Sequence, residues 1–375
     1  MMRAISWLCA AGVFCFSFPA IAQQPAASAA APPQAAPAVQ APALPAPALA
    51  DRPAPAPEPG EGRIKLDVVV SAKDEKPVAG LDLNDFTLLD NNLPAKILSF
   101  HAYGGAAAKP APPPEVILLL DTVNLGFQSV TLARQDIEKF LHQNGGHLAQ
   151  PVSIFVFTNE GVKVQLQPSI DGNKLAEGLG QVDGILRTLG RSAGINGAIE
   201  RFQLSIKWIT LIANSEAKRP GRKLLIWMGS GWPLLSRTVG STTGNQDQGF
   251  FTAIVQLSTL LRQGRMSLYS LSEGTPGLGT FLYQDYLKGV RTPHDANVPN
   301  LALKVIATQS GGRVFVPSHD LAGEIDSCVE DAGVFYTITF DPPRADGPNE
   351  YRDLKVTVDK PGLTARTRTG YYNQP

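Results

Sequence analysis

The run VILLLDTVNLGF, 116–127, ends its aliphatic stretch at Asp121 and continues through Thr122, Val123 and Asn124. A carboxylate at the C-terminal end of a buried strand stands where open α/β sheets gather ligands. Such a group can hold a metal, move a proton, or shape its own loop by accepting from backbone N–H groups. Ser230, in Met228-Gly229-Ser230-Gly231-Trp232, places a hydroxyl on a strand-to-helix connection. Met228 and Trp232 fill the flanking positions where a hydrolase elbow needs glycines, so close backbone passage is not provided for. His319 and Asp121 are the partners such a serine would require, and no spacing brings them to it. His142 and His147 are separated by Asn144-Gly145-Gly146, which ends a helix between them, so they lack ligand spacing. Cys328 follows Leu321 and Ile325 on one helical face and reads as a buried thiol. The basic cluster Lys218–Lys223 reads as a solvated turn leading into a strand.

These residues are positioned by an alternation of apolar strands and helical patterns that begins at residue 115. EVILLLD is followed by a helix from about 128 to 143, and VSIFVFT by a helix from about 173 to 187. A long helix from about 194 to 215 precedes KLLIWMG; a helix from about 248 to 263 precedes MSLYSLS; a helix from about 299 to 310 precedes RVFV, and a last helix covers about 319 to 332. Val130, Ala133, Ile137, Phe140 and Leu141 recur at helical steps, as do Ile195, Ile199, Phe202, Ile206 and Ile209. Strands that are apolar almost without a break and are separated by helices predict a doubly wound, mostly parallel α/β sheet. On either side the rhythm is that of short strands and turns: 64–100 before it, and VFYTITFDPP, DLKVTV and LTARTRTGYY after it. Three strands alone are too few for independent stability, so the two flanks are expected to pack together as one discontinuous β-sandwich.

The ends and the composition restrict function further. Arg3, the apolar run Ile5 to Phe18, and Ala20-Ile21-Ala22 follow the order of a secretory signal peptide. At about 1.5 Å per residue that run spans about 21 Å, short of the roughly 30 Å of a bilayer, so cleavage rather than anchoring is expected. Cys9 and Cys15 lie inside it, which leaves Cys328 alone and predicts no intramolecular disulfide. The Pro/Ala-rich segment 23–62 cannot bury a core; extended, at about 3.1 Å per residue, it would reach about 120 Å as a spacer. With 33 basic and 33 acidic residues the formal charge is zero, which removes the long-range attraction that nucleic acid or an anionic membrane exploits.

The order of elements, with Asp121 at the first strand end, resembles a von Willebrand factor A domain. The resemblance is sharpened by Gly221–Trp227, Gly231–Leu235, ATQSGGRVFVPSHDLAGEI and the terminal TARTRTGYY, which look like the exported von Willebrand factor A-related proteins abundant in acidobacteria. It covers residues 64 to 372. Domains of that superfamily hold magnesium through a DxSxS loop, a threonine and a second aspartate. Here Asp121 matches the first position, but Val123 and Leu125 stand for the serines, Ala193 for the threonine, and Ser230 stands where a threonine-aspartate-glycine would supply the second carboxylate. The resemblance therefore implies a degenerate metal-dependent adhesion site.

The expected organisation is a signal peptide over 1–22, a disordered spacer over 23–62, a β module over 63–103, a von Willebrand factor A-like domain over 114–333, and a second β module over 334–375 packing on the first. The expected function is an exported, non-catalytic binding or adhesion-type module that recognises a protein or envelope component. The expected ligand-binding face comprises Asp121, Thr122, Asn124, Ser192, Ser230 and Trp232. No cofactor or catalytic residue is expected, and any metal would fall to Asp121 and Asn124. For Trp232, exposure as an interface anchor and coverage of the sheet end both stand open. The alternative function is an extracytoplasmic hydrolase using Ser230 or a weak metal at Asp121. No nucleic-acid partner is expected, nor a transmembrane segment after signal cleavage; the location is periplasmic, cell-surface or secreted.

Overall fold

The architecture is that of a computed structural model, which describes residues 62–105, 110, 112–180, 194–232, 244–272 and 283–375. The signal segment, nearly all of the spacer, Ser192 and Ala193 lie outside the described residues.

A five-stranded sheet forms the centre, with β5 (Glu115–Asp121) in the middle. On one side lie β6 (His147–Thr158) and then β7 (Gly161–Asp171); on the other lie β8 (Lys223–Met228) and β9 (Met266–Leu271). β5, β6, β8 and β9 run parallel, and β7 closes the β6 edge antiparallel. The sequence pattern missed β7, although Val162, Val164 and Leu166 alternate with Lys163 and Gln165 at the strand period. All seven residues of β5 are buried because it has neighbours on both edges and helices on both faces.

Successive β5 side chains feed two separate cores. Val116, Leu118 and Leu120 pack with α1 (Phe127–Leu141), α2 (Gly172–Gly180) and α6 (Leu321–Gly333). Ile117 and Leu119 pack with α3 (Gly194–Glu216), α4 (Gly244–Gln263) and α5 (Leu303–Gln309). RVFV is not a full strand. Val314 forms a single bridge to Ser270, Ser318 N–H donates to the Ser272 carbonyl, and Pro317 between them, which has no N–H to donate, follows the exposed Val316.

The remaining strands make two four-stranded antiparallel sheets. One has the order β12-β1-β10-β4, from Thr364–Arg366, Ile64–Ser71, Phe335–Phe340 and Ser99–Tyr103. The other has the order β13-β11-β2-β3, from Gly370–Asn373, Glu350–Val358, Phe86–Asp90 and Leu93–Pro94. Each mixes strands from both ends of the chain: Leu66 is paired with Ile338 and Leu88 with Val356. Leu66, Val68, Phe86, Tyr336, Ile338 and Val356 meet in one core. LTARTRTGYY, expected as a single strand, is split. Its first part pairs with β1 and its last with β11, because the chain passes from one sheet to the other through Thr367–Thr369.

Buried charges tie this β region to the parallel sheet. Arg366 on β12 is paired with Asp331 on α6, and the Tyr269 hydroxyl of β9 donates to the same carboxylate at 3.0 Å. Arg222 donates to the Asp331 carbonyl while its guanidinium lies 4.4 Å from the centre of the Phe335 ring. The basic cluster 218–223 is a solvated turn only over its first part: Lys218 and Arg219 are exposed, whereas Arg222 and Lys223 are buried. Lys223 is buried, and its ammonium donates to the carbonyls of Glu216, Arg219, Gly221 and Gly264, where the end of α3 would otherwise leave acceptors unpaired. Burial pushes the Lys223 pKa down, with Glu216 acting against that shift.

Candidate functional site

The chain leaves β5 toward one side of the sheet and β8 toward the other, so the carboxyl ends of these two strands form the switch point where a crevice opens. Asp121 stands there, and its side chain is fully buried. Oδ1 accepts from the backbone N–H groups of Val123 and Asn124, both at 2.9 Å. Oδ2 accepts from Asn124 Nδ2 at 2.8 Å and from Trp227 Nε1 at 2.9 Å. Burial raises the Asp121 pKa, opposed first by the Asn124 bonds and then by the Trp227 and Val123 bonds.

Every other residue of this loop is committed to holding that geometry. Thr122 donates from Oγ1 to the Phe157 carbonyl at 2.7 Å and is buried. Val123 packs into the core on the α3 face and Leu125 into the core on the α1 face, so the apolar residues of the loop pin it to both layers. Asn124 is half-buried; its Nδ2 also reaches Ser205 Oγ on α3 at 3.2 Å. Across the crevice Gly229 lies so close that a Cβ there would sit 2.9 Å from Asp121 Cβ, which requires glycine.

Trp232 is not an exposed anchor. It is 4 % exposed, packs edge-on against Trp227 with ring centres 5.4 Å apart, and donates from Nε1 to the Leu301 carbonyl at 2.8 Å. An indole with a buried N–H partner costs nothing to enclose, and here it supports the residue that holds Asp121. Residues of this end that reach solvent include Ser230, exposed after β8, and Phe127, at the first position of α1 and 67 % exposed. Phe127 was missed because it lies at helical spacing from Val130 and so reads as part of the core stripe. His319 is exposed just before Asp320, the N-cap of α6. The hydrogen bonds of Asp121 go instead to Val123, Asn124 and Trp227. His142 Nδ1 is bonded to Asn173 Oδ1 at 2.8 Å, and His147 is exposed at the start of β6. Cys328 is buried, and burial pushes its thiol pKa well up, against nucleophilic use.

A magnesium ion asks for six oxygen ligands at about 2.0–2.1 Å in a near-octahedral shell. At Asp121 the acceptor positions of the carboxylate are taken by four N–H donors, three of them fixed by the strand, the loop backbone and a buried indole. The residues present do not fit such an ion. What the arrangement does chemically is hold the loop at 122–126 rigid beneath Asn124, Phe127 and Ser230.

No family model matches the chain, and no curated protein matches it. Thirty-nine chains of solved structures match. One is the human COPII-coat protein Sec24c, at 8 % identity and a TM-score of 0.32, over 70 % of this chain and 44 % of that one. The chain thus spans less than half of Sec24c, and at that TM-score the likeness carries no argument. No described helix is long and apolar enough to cross a membrane.

Proposed function

We propose that this protein is an exported, non-catalytic binding module of the von Willebrand factor A-like type, which recognises a protein or other envelope component without an obligatory metal. The observation that carries the reading is the saturation of Asp121 by Val123, Asn124 and Trp227, which turns the carboxylate into a loop brace. The carboxyl end of the sheet leaves an aromatic ring, Phe127, and a hydroxyl, Ser230, exposed, the residue types that interfaces use for anchoring. The signal-like start and the Pro/Ala-rich spacer support export and display.

The test is retention of the full chain on its native envelope fraction, with and without a chelator. Retention is expected to persist in the chelator and to fall about tenfold in Phe127→Ser, the cost of one anchor residue. Release by the chelator, or full retention of Phe127→Ser, contradicts the proposal.

A further inference from the structure

Away from that face, a small cavity of about 30 Å³ lies where α4 meets the C-terminal strands. Ile254, Leu257, Leu261 and Tyr351 give it an apolar wall, and its polar side includes Ser258 and Arg368 together with Asn300, Gln309, Ser310 and Thr369. Arg368 is only 7 % exposed. Among the described residues it has no hydrogen-bond or ion-pair partner. The nearest charges are Arg262, of like sign, and Asp67, whose carboxylate is already held through both oxygens by Arg265. Arg262 Nε is itself buried without a partner.

This sets Arg368 apart from the other enclosed arginines. Arg265 has Asp67, Arg352 has Asp90 and Glu350, Arg366 has Asp331, and Arg222 has the Asp331 carbonyl. A guanidinium largely taken out of water without a counter-charge is strongly disfavoured, even after relaxation. Burial, and then Arg262, pushes the Arg368 pKa down to about 9, so near neutral pH the group keeps its charge. The missing counter-charge is an anion, and the apolar wall favours one with a short hydrocarbon part. About 10–15 Å³ is needed per water-sized group, so the space suits a ligand of very few heavy atoms.

We propose that this cavity binds a small monocarboxylate, its oxygens accepting from the Arg368 guanidinium and its short aliphatic part lying against Leu257 and Leu261. Calorimetric titration and thermal melting of the full chain with acetate, propionate and chloride at matched ionic strength test it. Propionate is expected to bind saturably at one site and raise the melting temperature, about tenfold more tightly than chloride, because a carboxylate can take paired bonds from a guanidinium. Arg368→Met should lose that response. Ser258→Leu, which fills the cavity and leaves Arg368 in place, should lose it too and decides the matter if the first variant does not fold. Absence of saturable carboxylate binding, an equal response to chloride, or undiminished binding in Ser258→Leu overturns the proposal.

Discussion

The two ends of β5 each carry a buried carboxylate, and they solve the same problem in opposite ways. At the amino end, Glu115 is met by Arg219 at 2.6 Å and by the Ser153 hydroxyl at 2.7 Å, within a network of Glu216, Lys223 and α3 carbonyls. At the carboxyl end, Asp121 is met only by neutral N–H donors, and no cation approaches it among its bonded partners. Ion pairs at the first end join β5 to the end of α3, while Asp331 and Arg366 form the seam between the sheet and the β region. Neutral donors at the second end fix a loop without bringing a charge to it. The difference separates charge pairing that joins elements from neutral bonding that shapes a single loop.

The largest effect is expected at the seam. Asp331→Ala leaves the largely enclosed Arg366 guanidinium without its counter-charge, holding the Gly311 carbonyl, and should lower stability by about 3–5 kcal/mol in urea unfolding. A loss below about 1 kcal/mol would mean that the seam does not hold the two regions together. Asp121→Ala strands donors from Val123, Asn124 and Trp227, but the half-buried Asn124 admits water that re-pairs part of them, so at about 1–3 kcal/mol for each group left unpaired the loss should be smaller, about 2–3 kcal/mol.

A third effect is graded with pH. Burial raises the phenol pKa of Tyr351 to about 12 and raises those of Tyr269, Tyr371 and Tyr372 as well. An acid whose pKa rises on folding binds its proton more tightly in the native state. Stability is therefore full below about pH 10, the unfolded phenol value, and is lost as pH rises through the folded one. Urea midpoints measured from about pH 9 to about pH 11.5 should fall alongside phenolate absorbance; flat midpoints would mean that these rings are not enclosed. The smallest effect is Phe127→Ser, which should change stability by less than about 0.5 kcal/mol, since the ring is exposed, while weakening contact at the free face.

Much of the layer order was legible in sequence because its causes are local. EVILLLD and KLLIWM are apolar on both alternations, as strands enclosed on both faces must be, and Val130 to Leu141 keeps one helical stripe. The break at Thr367–Thr369 was not legible, because pairing of Arg366 with Val69 and of Tyr372 with Tyr351 is decided by distant strands. At the site, Asp121 was visible as a strand-end carboxylate, but its indole partner is 106 residues away. For Trp232 the sequence left exposure and coverage of the sheet end both open; its burial depends on Trp227 and on the Leu301 carbonyl, which spacing does not reveal. In the basic run 218–223 the exposed turn was legible, but the burial of Lys223 was not, since its ammonium finds carbonyls from two helix ends.

Calorimetric titration of the full chain with magnesium and manganese tests the central claim most directly. A carboxylate already saturated by four N–H donors predicts no stoichiometric heat for either ion, in the wild type or in Asp121→Ala. Micromolar, one-to-one binding in the wild type that disappears in Asp121→Ala would contradict it.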